Sequence, residues 1–140
     1  VSEMCIRDRI YISLLSNILM IGVSLITHFV TYPSFEFIPS KTFAGFHSAY
    51  SKKMLFLVGP IMLLEFLCSS IITVVSFNLE SFIPFLTVVL IWLTTFFLIV
   101  PLHNKLGLTY NYKLNKRLIK FNGYRTLLWV FKFLFIASII

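Results

Sequence analysis

The chain has 140 residues, 59% of them hydrophobic and 12% charged, with a formal net charge of +7. A soluble domain is roughly half apolar and about a quarter charged, so this composition argues against an ordinary soluble fold. The cations flank long apolar runs, where they set topology; no basic, aromatic-interleaved soluble module points to nucleic acid.

Val1 to Arg9 differ from the rest of the chain. They mix charges and stop abruptly at an apolar run, and Met-Cys-Ile-Arg-Asp-Arg resembles a translated adaptor scar. Residues 1–9 are therefore set apart as non-native, and 10–140 are read as a single transmembrane domain. The chain stops at Ile140 inside an apolar run, which predicts that the natural protein continues.

The first predicted span covers about 10–30 and carries Asn17, Ser24 and His28, with Gly22 as a close-packing point. Tyr32-Pro33 is expected to end it, because a residue before proline is pushed away from helix. Phe43, Phe46, His47 and Tyr50 recur at helical spacing within 41–53, which predicts a short interfacial helix before span two and running into it, a polar loop being the alternative. Span two covers about 54–77, is kinked at Gly59-Pro60, and places Glu65 near its middle. A tight turn at 78–81 leads to span three, about 82–102, with a helical exit to Leu106 and Gly107 as cap. Asn111 caps a basic amphipathic lead-in that carries Lys113, Lys116, Arg117 and Lys120, and span four covers about 124–140. The fold class expected is all-α: a four-transmembrane-helix bundle.

The two long loops, 31–53 and 103–123, hold nearly all the flanking cations, whereas the turn at 78–81 has only Glu80. The positive-inside rule then places both loops in the cytoplasm and the N-terminus outside, in a bacterial inner membrane.

Three histidines, His28, His47 and His103, fall near the cytoplasmic helix ends. Imidazoles at one depth are candidates for haem or metal ligation or for a proton relay; interfacial residues bonded to neighbours or water are the plainer alternative. No close metal-ligand spacing is present, and Cys5 and Cys68 form no CxxC pair. Cys68, inside an apolar run, reads as a small buried hydrophobe. Asn104, Asn122 and Arg125 lie at the same boundary, suited to an anionic or carbonyl group or simply to loop anchoring. The boundary cluster expected is His28, His47, His103, Asn104, Asn122 and Arg125, with His47, His103, Asn104 and Arg125 as the candidate catalytic set.

Glu65 needs a partner or a proton, because a lone carboxylate at the bilayer centre is costly. It lies eleven residues past Met54, and Lys132 lies eight past Tyr124. At about 1.5 Å per residue their depths differ by only about 4 Å, within reach of a lysine stem. An intramembrane charge pair, Glu65–Lys132, is therefore expected, fixing helix register or moving a proton.

Five segments carry a resemblance: YPSF at 32–35, FAGFHSAYSKKM at 43–54, GPIMLLE at 59–65, WLTTFFLIVPLHNKL at 92–106 and RLIKFNGYRTLLW at 117–129. In order and spacing they resemble an uncharacterised family of bacterial four-span integral membrane proteins, and more distantly the anthrone-oxygenase-like group. The closer resemblance implies a basic residue three past Trp129, where Lys132 stands. This chain departs from the pattern at Gly123, where the family usually has tryptophan. The distant resemblance implies an oxygenase only by analogy.

Two functions are expected from these features. One is an integral membrane protein of unassigned role, a partner or small transport component, its partners being the bilayer and either a second copy or another membrane protein. The other is a membrane-embedded oxidoreductase acting on a small apolar or quinone-like molecule in a cytoplasm-facing pocket. No serine or cysteine nucleophile with a base and no phosphate-cradling glycine loop accompanies either.

Overall fold

A computed structural model describes the backbone of residues 3–140 and the side chains from Arg7 onward. The described chain is all helix and connecting turn. The elements are α1 (Glu3–Ile26), α2 (Tyr32–Ser34), α3 (Ser40–Val75), α4 (Leu79–Thr94), α5 (Val100–Leu106) and α6 (Tyr112–Ile139). A π-helical turn, Thr27–Thr31, joins α1 to α2, and a second, Thr95–Ile99, joins α4 to α5.

The first span does not end at Tyr32-Pro33. Tyr32 keeps helical angles and opens α2, with Pro33 next, in the first turn, where a proline is tolerated. The chain turns extended at Ile38 instead, the residue before Pro39, so the pre-proline restriction acts one proline later than expected. Both π turns end one residue before an X-Pro pair, Tyr32-Pro33 and Val100-Pro101. A proline ring presses on the carbonyl four residues back, and a π turn moves that carbonyl aside. Pro60 sits inside α3 without one, so proline alone does not dictate the turn.

Residues 41–53 are helical rather than a polar loop and run without a break into the second span, as the opening turns of the 36-residue α3. The lead-in and fourth apolar run are likewise one 28-residue helix, α6, capped by Asn111, whose side chain accepts from the N–H of Lys113 and Leu114. Asn78 and Ser81 are not a free-standing turn: they form a reciprocal capping box on α4. Gly107 caps α5 at ordinary right-handed angles.

Three stretches are long and apolar enough to cross a membrane: Arg7–Phe37, Ser40–Val75 and Leu79–Leu106. α6 falls outside that group on composition: Lys113, Lys116, Arg117 and Lys120 near its start are exposed, whereas Asn122, Arg125 and Lys132 further along are buried. α1 packs on α3 and α6, and α4 packs on the same two, so the four long helices close a ring. One core cluster gathers Tyr32, Phe35, Phe43, Ile99, Leu102, Leu106 and Leu118; a second gathers Met20, Met62, Ile91 and Trp129.

The polarity of the ring is inverted relative to a soluble bundle. Phe29, Phe56, Val74 and Phe97 stand exposed, whereas Asn17, His47, Glu65, Asn122 and Lys132 are buried. Lipid tolerates such an outer surface and water does not. Polar side chains join the α1–α6 seam: the Asn17 amide donates to Trp129 O at 3.0 Å, Asn122 donates to Ser24 O at 3.3 Å, and the Ser24 and Thr126 hydroxyls bond to each other.

Candidate functional site

Two polar clusters lie inside the ring, at different depths. The first lies where α3 begins and α5 ends. His47, on the inner face of α3, and His103, on α5, point their rings at each other, with His47 Nε2 2.9 Å from His103 Nδ1. The other nitrogen of His103, Nε2, lies 2.9 Å from the Tyr32 hydroxyl. Tyr32 is held by its neighbours: its carbonyl accepts from the Asn115 amide at 3.0 Å, and its ring packs on Phe35. Phe43 stacks on His47 from the preceding turn of α3. The result is a three-member hydrogen-bonded chain, His47–His103–Tyr32, in which the central imidazole is bonded through both ring nitrogens, donating with one and accepting with the other.

Arg125 sits beside this chain, close enough for its charge to act on Tyr32, Tyr50 and His103. It is only 9% exposed. Its Nη1 donates to Thr95 Oγ1 at 3.1 Å and its Nη2 to Asn122 Oδ1 at 2.8 Å, while Nε has no partner. The guanidinium also lies 5.2 Å from the centre of the Trp129 ring, a cation–π contact. Thr95 opens the second π turn, so that irregularity supplies one of the arginine's acceptors. π turns recur at functional sites because they re-aim side chains within an otherwise regular helix.

The second cluster is deeper, centred on Glu65. Trp129 Nε1 donates to Glu65 Oε1 at 3.0 Å, and Lys132 Nζ lies 3.5 Å from Oε2. Lys132 also donates to Ser13 Oγ at 3.3 Å. Glu65 and Lys132 are 2% and 0% exposed, so the pair is closed off from the surface. Arg125 and Lys132 are seven residues apart on α6, a rise of about 10 Å. Trp129 touches both clusters and stands between them. Beyond Ser13 lies a pocket of about 260 Å³, also lined by Ser69, Ser76, Ser81, Asn78 and Glu80 at the far end of the ring.

The boundary residues expected from sequence are only partly brought together. His47, His103, Asn122 and Arg125 converge. Asn104 does not: it is exposed on the outer side of α5. His28 also stands apart from the other two histidines. It lies in the first π turn, edge-on to Phe29, and its ring abuts Gly123 on α6. A Cβ at Gly123 would come within 3.1 Å of His28 Cε1, so the missing side chain is what admits the imidazole. The haem or metal ligand set His28, His47 and His103 is therefore not assembled, and among the described residues no three His, Cys, Asp or Glu converge. Cys68 is a free, buried thiol. Cys5 lies outside the residues whose side chains are described.

Sequence reasoning overlooked Tyr32, Thr95, Tyr50 and Ser13. Tyr32 was masked by its role as an expected helix end. Thr95 and Ser13 look like ordinary small residues in apolar runs. Outside the apolar helices, burial pushes the Tyr110 hydroxyl above its ordinary value, and the Asn115 amide, 3.5 Å away, acts the other way.

Comparison of the chain with protein-family models, with curated proteins and with solved structures returned no match, so the arrangement of its side chains is the ground for reading function.

Proposed function

We propose that this protein is a four-span integral membrane protein of a bacterial inner membrane and a small transport component that moves protons through its own core. α6 is the fourth span in this reading, and the basic segments 31–53 and 103–123 face the cytoplasm. The observation that carries the reading is the succession of buried polar groups along the ring. His47, His103, Tyr32 and Arg125 lie toward one end, Glu65 and Lys132 lie deeper, and Ser13 opens onto the far pocket. Buried ionisable groups inside a membrane are costly and mark ion pathways and proton relays.

Each imidazole takes a proton on one nitrogen and releases one from the other, so the His47–His103–Tyr32 chain passes a proton by reversing its hydrogen bonds. Glu65 and Lys132 hold or exchange a proton between them. Trp129 cannot relay one, because its indole only donates. It is therefore the barrier between the two clusters, and its movement is what permits passage. The resemblance to bacterial four-span proteins agrees with this architecture.

The test is proton flux. Purified protein in vesicles, driven by a potassium diffusion potential and read by an internal pH dye, should carry protons faster than empty vesicles. Glu65→Gln and His103→Gln should each reduce the rate at least tenfold. Wild-type flux no greater than that of empty vesicles would overturn the transport reading.

A second reading keeps the same site but makes it an oxidoreductase for a small apolar or quinone-like molecule. The observation in its favour is the grouping of Tyr32, His47 and His103 beside an arginine, donors suited to quinone carbonyls. Saturable binding of a water-soluble ubiquinone analogue, lost in His103→Gln, would support it.

A further inference from the structure

Arg125 is a buried cation whose charge nothing in the described structure cancels. Glu65 on α3, a buried carboxylate that faces α6, is committed to Lys132 and Trp129. Glu36 and Glu80 are exposed, and among the described residues no carboxylate lies within 4.0 Å of Arg125. Its bonds go to two neutral oxygens, on Thr95 and Asn122, and Nε–H is left without an acceptor. A buried charge in this condition is strongly disfavoured unless an anion joins it. Polar and aromatic side chains surround it. Tyr32 and Tyr50 lie close enough for the arginine's charge to act on them, and His28 Nδ1, also unpartnered, lies against Gly123 of α6. Both π turns border this region, through Thr95 and His28.

We propose that Arg125 is the binding site of a small carboxylate, held by Nε–H and a remaining N–H of the guanidinium. Arginine presents a planar fork that matches the two oxygens of a carboxylate, and phenol hydroxyls can donate to the same group. A halide would use one donor at a time and leave the fork half used. The proposal rests on the reading of the ring as membrane-embedded and names the anion that shares the site with the proton relay. The neighbouring His47–His103 pair makes the natural cargo a carboxylate together with a proton.

The experiment measures binding rather than flux, so the two readings fail separately. Benzoate is titrated into the purified protein in nanodiscs, with thermal unfolding as the readout and benzamide as the neutral isostere. Benzoate should raise the unfolding midpoint in a saturable way, and benzamide should not. Arg125→Lys keeps the charge but not the fork and should weaken benzoate at least tenfold. Asn122→Asp supplies an internal carboxylate at the 2.8 Å contact with Nη2 and should abolish benzoate binding. Because it pairs the arginine rather than removing it, this variant keeps the test open if Arg125→Lys fails to fold. Equal shifts from benzoate and benzamide, equal shifts from chloride, or full benzoate affinity in Asn122→Asp would each overturn the proposal. Benzoate binding without proton flux would sink the transport reading alone. Flux without benzoate binding would sink this one.

Discussion

Replacing Glu65 by glutamine removes one charge and turns the oxygen that faces Lys132 into an amide donor. The side-chain oxygen that accepts from Trp129 Nε1 is retained, so the loss falls on the contact with Lys132. Two unit charges 3.5 Å apart attract by about 5 kcal/mol at an effective dielectric of 20. In the folded pair, desolvation of both ions offsets much of that attraction. Removing one ion leaves the other's desolvation uncompensated, which costs about 3–5 kcal/mol. Lys132 keeps its bond to Ser13 and can shed its proton, so the lower end applies, about 3 kcal/mol, or roughly a hundredfold in the folding equilibrium. Lys132→Met should cost less, because Glu65 can take up a proton while still accepting from Trp129. The double variant Glu65→Gln with Lys132→Met should be more stable than Glu65→Gln alone, and the exchange Glu65→Lys with Lys132→Glu should recover part of the loss. The assay is the fraction of monodisperse protein surviving a heating series, read by fluorescence-detected gel filtration. If both double variants are no better than the worse single one, the charges are not coupled and the reasoning fails.

Trp129→Ala should raise proton leak through vesicles, since the indole is the barrier between the clusters; an unchanged or lower leak in folded protein contradicts that role. Gly123→Val should destabilise by about 1–3 kcal/mol through overpacking against His28, and His28→Ala should relieve most of it. Thermal midpoints of the two singles and the double decide this, and strict additivity would show that the two positions do not meet. Asn111→Ala removes the acceptor for two N–H groups at the start of α6 and should cost about 1 kcal/mol, read as a lowered unfolding midpoint. No change there would mean that water replaces the cap without loss.

The long apolar helices were legible because hydropathy over some twenty residues is a strong signal and helix rise is regular. The same regularity let residue counting place Glu65 and Lys132 at matching depth on different helices, and the structure has them 3.5 Å apart. Counting works when nothing interrupts the α-helical step, and nothing does from Ser40 to Val75 or from Tyr112 to Ile139. It failed where a π turn adds a residue to the turn. His28 lies in such a turn, and its side chain faces Gly123 rather than the other histidines. Asn104 shows a different limit. Sequence neighbours on a helix point in different directions, so His103 faces inward and Asn104 outward despite sharing a depth. Proline marks both π turns, at Tyr32-Pro33 and Val100-Pro101, but Pro60 and Pro84 lie inside regular helix, so the sequence does not single the turns out.

Both functional readings depend most directly on α6 crossing the membrane, because that helix carries Asn122, Arg125, Trp129 and Lys132 into the core. The decisive measurement is labelling by a membrane-impermeant thiol reagent, in a background with Cys5→Ser and Cys68→Ala. Single cysteines are placed at the exposed positions Lys113, Glu80 and Ser138. Lys113→Cys should react only from the cytoplasmic side, and Glu80→Cys and Ser138→Cys only from the opposite side. Labelling of Lys113→Cys and Ser138→Cys from the same side would contradict a membrane-spanning α6.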